Sequence, residues 1–230
     1  MSGRSPRWFT GIQDPYEANF ADNTWKQIIS VCQKGIVPLS WKVGDQKAMT
    51  IGGTDYLIDI IGINHDTYTA GGTAPLTFQL HDCYAGKKAM NSSNTNSGGW
   101  TSCAMRSAHL PAILALMPTE VQNGIHEVSK LTSAGSQSAT INTTSDKLFL
   151  LSEVEIFGST VYSVAGEGTQ YAYYKAGNSR VKKQNGSAAV WWGRSPRASS
   201  TGNFCLVSTR GRTSSIGANN AYGVAFCFCF

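Results

Sequence analysis

The side chains able to do chemistry are few and scattered. Four histidines stand at His65, His81, His109 and His126. None falls in an H-E-x-x-H arrangement, which would put two imidazoles and a general base on one helix face. "HDC" at His81 to Cys83 lacks partners at zinc spacing. There is no G-x-S-x-G elbow and no P-loop, and "GEG" at Gly166 to Gly168 is too short to cradle a phosphate. Glu153 and Glu155 are neighbours on a helical turn, not two carboxylates facing across a cleft. Asp45, Asp55, Asp59, Asp66 and Asp82, or the loop residues Asn91, Asn94 and Asn96, offer oxygens for calcium. The D-x-[DN]-x-[DN]-G loop is missing, and turn chemistry accounts for the asparagines equally well. Cys227 and Cys229, at i and i+2 of a strand, place both thiols on one face, a geometry open to a soft metal such as Cu(I). Two small hydrophobes under a helix give the same pattern, and no neighbour in sequence supplies the cationic surroundings of a reactive thiol. The expectation is no catalytic residue, no cofactor and no bound metal.

Binding chemistry is better represented. The stretches "QYAYYKAGNSR", "WWGRSPRASSTGN" and "RGRTSSIGANNAYG" combine Tyr, Trp, Ser, Asn and Gly. Aromatic rings give large contact area for few rotors, while Ser, Asn and Gly adapt their hydrogen bonding. Tyr173, Tyr174, Arg197, Asn203, Asn219, Asn220 and Tyr222 are therefore the candidate ligand contacts, in loops such as "RASSTGN" and "TSSIGANNAYG" bracketed by strands. Ordinary turns would use the same residues. The "AVWWGRSP" segment looks at first like a stacking platform with an anion clamp. Adjacent strand residues point to opposite faces, so Trp191 and Trp192 cannot share one platform. Arg194, at the turn closed by Pro196, is expected to tie down backbone carbonyls. The motif reads as frame.

These residues must be positioned by strands and loops more than by helices. Of 230 residues, 24 are glycine and only 14% are charged, against 41% hydrophobic, which suits a strand-and-loop protein with a real core. No apolar run approaches the length of about 18 residues that a membrane span needs. The N-terminal "MSGRSPRWFTGIQDPYEANF" has no apolar signal-peptide stretch. In that setting the six cysteines are expected to be reduced and partly buried, with a disulfide framework as the alternative. Eight of the 19 basic residues and none of the 14 acidic ones follow Glu167. That stretch can attract anions, but its cations are dispersed, which argues against nucleic acid.

Residues 1–21 read as an extended, proline-containing leader outside the core, and 22–230 as one domain. "DNTWKQIISVCQKG" reads as a helix capped by Asp22 or Thr24, apolar along Trp25, Ile28, Ile29 and Cys32, and stopped at Gly35. "WKVGDQKAMTIGGTDYLIDIIGIN" reads as strands with turns at Gly44-Asp45 and Gly52-Gly53. Residues 66–104 read as long loops around one strand, "LTFQL". A second helix is expected in "MPTEVQNGIHEVSKL", with Pro118 in its first turn and Val121, Ile125, Val128 and Leu131 on one face. "SDKLFLLSEVEIFG" predicts a buried strand and a short helix, with Ser152 and Glu155 at capping-box spacing and Gly158 as terminator. "AAVWW", "NFCLVS" and "YGVAFCFCF" predict strands, the last apolar on both faces and so covered on both sides.

"WWGRSP", "NFCLVSTRG", the closing "YGVAFCFCF" and the upstream "KLFLLSEVEIFG", "EGTQYAYY", "GGWTSCAMR" and "WKVGDQ" together resemble a domain family common in phages, prophages and gut bacteria. Gly193 stands where relatives usually carry a larger apolar residue, and Ala225-Phe226 replaces the usual Arg-Pro of the closing strand. The resemblance implies an α+β, C-type-lectin-like fold, mostly antiparallel strands with two main helices and long loops, shared with formylglycine-generating enzymes and phage receptor-binding proteins. It further implies a non-catalytic tail-tip or tail-fibre protein of the virion, without a signal peptide. Its partners would be a host cell-surface receptor, protein or glycan, other tail proteins, and copies of itself, as in a trimer. The Glu-Pro-Asn and Trp-Asn-Asp motifs of calcium-dependent sugar binding are missing from the sequence. The alternative from the same fold is an oxidoreductase or metal-dependent enzyme using Cys227 and Cys229.

Overall fold

A computed structural model describes residues 16–230; most of the expected leader lies outside the described residues. Its last part does not stay outside the core. Phe20, in a 3-10 turn over Phe20–Asp22, is buried against Trp41 and Phe78. An aromatic ring four residues ahead of the Thr24 cap is carried inward with the helix that follows.

Helix α1 (Trp25–Gln33) begins where expected, at a reciprocal capping box between Thr24 and Gln27. Its buried face of Trp25, Ile28, Ile29 and Cys32 lies against a four-stranded sheet, where the Trp25 ring meets Phe78, Phe228 and Phe230. That sheet has the order β1 (Gln46–Ile51), β2 (Thr54–Ile63), β3 (Leu76–Leu80) and β11 (Cys227–Cys229), antiparallel throughout. Gly52 and Gly53 join β1 to β2 with φ of 57° and 81°, values that the tightest hairpin turn demands and that side chains resist. The closing strand β11 has a covered edge as well as covered faces, because Phe149 bridges to Cys227 and His126 to Cys229. The amide of Phe230 donates to the Leu76 carbonyl at 3.3 Å, so the last residue is tied to the first residue of β3.

Between β3 and β11 the chain runs through loops and short elements. These are α2 (Gly99–Ser102), a π-helical stretch Met105–His109 continuing into α3 (Leu110–Leu114), and α4 (Thr119–Gly124). A hairpin β4 (Val128–Ser133) with β5 (Ile141–Asp146) follows, then α5 (Glu153–Phe157) and α6 (Ala172–Lys175). A small hairpin β6 (Lys182–Gln184) with β7 (Ser187–Ala189) leads to a second sheet. There β9 (Asn203–Val207) lies between β8 (Trp191–Pro196) and β10 (Thr213–Gly217). The fold is thus mixed α/β with mostly antiparallel strands and few helices. No helix among the described residues is long and apolar enough to cross a membrane.

Two expectations are corrected. The second main helix ends at Gly124, and the residues counted on its face continue into a strand: Val128 and Lys130 point inward while Leu131 points to solvent. Helical spacing of apolar residues misled there because the inward position is held by a charged side chain with buried partners. "TSSIG" of the expected loop is strand β10, an edge strand of half-exposed Ser, Thr and Ile whose mates are in β9. The capping box of Ser152 with Glu155 and the left-handed Gly158 at the end of α5 both occur as read.

The core is aromatic at its centre: Phe78 is fully buried and its ring contacts Phe20, Trp25, Phe228 and Phe230. Phe78→Ala removes the ring on which α1, β3 and β11 converge. It is expected to cost about 3–5 kcal/mol of unfolding free energy in urea titrations.

Candidate ligand-binding site

Every residue of the "WWGRSP" strand is buried. Trp191 and Trp192 are both buried and diverge: the Trp191 indole donates to the Arg180 carbonyl at 2.9 Å, the Trp192 indole to the Lys88 carbonyl at 2.9 Å. A Cβ on Gly193 would lie 3.1 Å from the Leu151 carbonyl oxygen, and the Arg194 amide donates to that same carbonyl at 2.9 Å. The small residue between the tryptophans and the arginine thus permits this close approach. Pro196 is buried at the end of β8.

Arg194 is wholly buried, and its guanidinium donates to the carbonyls of Leu150 (2.8 Å), Leu131 (3.1 Å) and Glu167 (3.0 Å) and to the Thr132 hydroxyl (2.9 Å). It also forms a two-pronged ion pair with Glu155, 2.9 Å on the Oε1 side. Glu155 serves twice, since its Oε2 also accepts the Ser152 amide at 2.9 Å that caps α5. Lys130 then joins Glu155 (2.9 Å) to Asp66 (2.7 Å), and the Tyr171 hydroxyl and Thr77 hydroxyl complete Asp66. Burial opposes each of these charges. The Arg194 and Lys130 charges outweigh it for Glu155 and hold its carboxyl below the usual range. Lys130 holds Asp66 at about 2, and Asp66 and Glu155 in turn raise Lys130 above its ordinary value. The network remains ionised at any ordinary pH.

Glu167 behaves differently. Burial pushes its carboxyl up to about 7 although the Ser133 amide (2.8 Å) and the Ser195 hydroxyl both donate to it. Of these three carboxylates the sequence marks Asp66 only as a possible calcium oxygen and Glu155 only as a cap, and it gives no sign of the buried role of Glu167. A small cavity of about 130 Å³ opens onto Asp66, Lys130 and Glu155 between His65 and Thr169.

The residues expected to meet a ligand are only partly brought together. Arg197, Asn203, Asn219 and Asn220 gather at one end of the β8–β10 sheet. The Arg197 guanidinium donates to Ser199 (3.0 Å) and Ser215 (3.1 Å) and lies 5.2 Å over the Tyr162 ring. Asn203 pairs in register with Gly217, two residues before the exposed Asn219 and Asn220. Tyr222 is half-buried edge-on to Trp192, with its backbone paired to Lys88. Tyr173 and Tyr174 do not belong to this surface: they are buried on α6, where the Tyr174 hydroxyl donates to Gln79 at 2.5 Å. A short helix packed on β2 turns its aromatic rings to the core whatever their composition suggests.

The loop asparagines weighed as calcium ligands serve the backbone. The Asn96 side chain donates to the Ser200 and Asn203 carbonyls (2.8 Å each) and accepts from the Ser136 amide at 2.8 Å. Asn94 accepts from the Ala218 amide at 3.1 Å, and Asn91 donates to the Thr95 carbonyl at 2.7 Å. Among the described residues, no group of three or more His, Cys, Asp or Glu side chains is placed to hold a metal ion. All six cysteines are buried with free thiols. Burial raises Cys227 and Cys229 well above the ordinary thiol value.

The frame strand β8, the loop surface and every charged member of the network except Asp66 lie within one matched segment. The family model of the Domain of unknown function (DUF6273) covers residues 76–230. The chain belongs to that family. No curated protein and no solved structure matches it. The DUF6273 segment starts at the first residue of β3 and ends at the last residue of the chain, the two positions joined by the Phe230–Leu76 hydrogen bond. It supplies Lys130, Glu155, Glu167 and Arg194, while Asp66 comes from the preceding segment.

Glu167 gives a pH signature. An unfolded glutamate ionises near 4.5 and the folded one only near 7, so the native state loses stability as pH rises through that window. Glu167→Gln, an isostere of the protonated form, is expected to flatten the fall between about pH 4.5 and 7 in denaturant titrations. Glu155→Ala leaves Arg194 and Lys130 short of a counter-charge and is expected to cost about 3–5 kcal/mol by the same measurement.

Proposed function

We propose that the protein is a non-catalytic receptor-binding module on a C-type-lectin-like frame, working in the tail tip or tail fibre of a phage or prophage virion. The lectin-like reading is supported by the topology: the last strand returns to pair with β3, and a separate three-stranded sheet with long connections lies between them. The carrying observation is the division of polar groups. Inside, Gln184 Oε1 is the sole buried side-chain polar atom without a partner among the described residues. Outside, the exposed Asn219 and Asn220 follow β10, whose Ser215 accepts from Arg197 at 3.1 Å. Rigid support with exposed, adaptable amides suits recognition. The partners on this reading are a host cell-surface receptor, other tail proteins and further copies of the chain. Nucleic acid draws little support from the acid-free end of the chain. Two of its cations are inside, Arg194 in the network and Lys182 donating to the Leu80 and His81 carbonyls.

The enzymatic alternative on Cys227 and Cys229 draws no support from thiols that are enclosed and held protonated. Native protein exposed to iodoacetamide is expected to leave both unmodified, and full labelling in urea is the control; rapid native labelling of either would favour the alternative. For the binding role, labelled protein is applied to a panel of intact bacterial cells. The combined Arg197→Ala, Asn219→Ala, Asn220→Ala variant is expected to lose roughly tenfold or more in adsorption with an unchanged melting temperature. Adsorption equal to the unaltered protein, or no adsorption to any strain, removes the proposal.

A further inference from the structure

A cleft lies where no sequence feature pointed, between the turn after β2 and the start of β4. A cavity of about 460 Å³ is lined by Tyr68, Thr69, Ala70, Gly71, His126 and Glu127, within the range of small-ligand sites. A second cavity of about 270 Å³ shares Glu127 and continues to Arg106, Leu114 and Lys147.

The walls are held by backbone. Thr69 donates its amide to the Glu127 carbonyl at 2.9 Å, Tyr68 to Gly72 at 2.9 Å, and His126 to the Cys229 carbonyl at 3.1 Å. The side chains are held as well: the Ser145 hydroxyl donates to Glu127 Oε2 at 2.5 Å and lies 2.8 Å from the Thr69 hydroxyl. Glu127 Oε1 has no hydrogen-bond partner among the described residues. The Tyr68 ring is half-buried and tilted against the His126 imidazole, with centroids 5.1 Å apart. Glycines 71 and 72 beside it carry no side chain to cover it.

We infer that this cleft binds a saccharide of two or more rings. A sugar ring presents an apolar face of C–H groups, which packs on an aromatic side chain, and a rim of hydroxyls, which require acceptors and donors in one plane. Tyr68 supplies the first, and Glu127, His126 and Thr69 supply the second. The shared Glu127 places a following ring in the second cavity, where Arg106 and Lys147 can meet its oxygens. A peptide is less well served, because the larger cavity offers no aliphatic pocket beyond Ala70 for an apolar anchor. The site shares no residue with the Arg197–Asn220 surface, so it stands or falls independently of the receptor role assigned there.

The test is a printed array of bacterial surface polysaccharides and of neutral and N-acetylated hexose oligosaccharides, probed with the whole chain. At least one class is expected to be retained, and Glu127→Gln to weaken it roughly tenfold or more. Tyr68→Ala is expected to do the same and Tyr68→Phe to keep binding, which separates stacking from a role of the hydroxyl. Ala70→Arg, at an exposed position, fills the cleft and engages Glu127 without touching the core, and is expected to abolish retention. The Asn219→Ala, Asn220→Ala variant is expected to bind the array as the unaltered protein does. Retention of no saccharide, retention unchanged by Glu127→Gln and Ala70→Arg, or selection of peptides alone from a displayed library overturns the inference.

Discussion

A guanidinium in the interior constrains everything around it. Arg194 is charged at every accessible pH, and taking it out of water costs several kcal/mol unless its donors are matched. The matching partners come from β4, the segment before α5, α5 itself and the loop at Glu167. The stretches around Thr132, around Leu150 to Glu155 and at Glu167 must therefore meet β8 before the charge is tolerated. Through Glu155 the constraint passes to Lys130, and through Asp66 to Thr77 on β3, so the second sheet is coupled to the first. Replacing such a network by well-fitted apolar side chains often leaves stability unchanged. What it contributes here is register. A slip of β4 by one residue would turn Lys130 and Thr132 outward and strand the charges of Glu155 and Arg194. The polar centre therefore admits one arrangement of strands, where an apolar one would admit neighbours close in energy.

The same reasoning separates what was legible in the sequence from what was not. Thr24 with Gln27, Ser152 with Glu155, and Gly52-Gly53 are complete within a few residues, so the signal and the structure coincide. The closing "CFC" carries its burial on both faces in its own composition, whereas "LTFQL" shows only its Leu-Phe-Leu face although Thr77 and Gln79 are buried as well. Lys130 does not: a lysine between Ser129 and Leu131 looks exposed, and only Asp66 and Glu155, far away along the chain, explain why it faces inward. Glu155 was read as a cap because that role is local, while its larger role toward Arg194 requires the folded β8. For the candidate contacts, composition marked residue types common at recognition surfaces without marking exposure. Asn219 and Asn220 sit in a turn and remain outside. Tyr173 and Tyr174 sit two and three residues after Tyr171, itself a partner of Asp66, and are buried as it is. The Tyr68–Glu127 cleft had no local signature, since its two walls are 59 residues apart in sequence and meet through backbone hydrogen bonds.

The boundary of the family match has a physical counterpart and a physical exception. Residues 76–230 close on themselves, strand against strand, at Leu76 and Phe230. That closure alone would leave the outer edge of β3 unpaired and the aromatic face of β11 bare. The preceding segment supplies both remedies. β2 pairs the edge of β3, and α1 lays Trp25 over Phe78, Phe228 and Phe230. Asp66 goes further, completing the salt-bridge chain of Lys130, while Phe20 fills the space beside Phe78. A segment that delivers a buried counter-ion cannot be detached without leaving a buried lysine with one carboxylate where it now has two.

A saturated interior also determines where recognition can occur. Polar atoms already bonded to protein cannot take a ligand without breaking a native bond, and the Arg194 network has none to spare. The small opening onto Lys130 and Asp66 is therefore a poor place to seek strong binding, despite its charge density. Groups with spare capacity are those whose backbone is pinned while a side-chain atom is left over. Asn219 and Asn220 at the sheet end meet that condition, as do Glu127 and Tyr68 in the cleft. In both places the entropy of ordering the backbone has been lost at folding, so contact with a ligand need not supply it again.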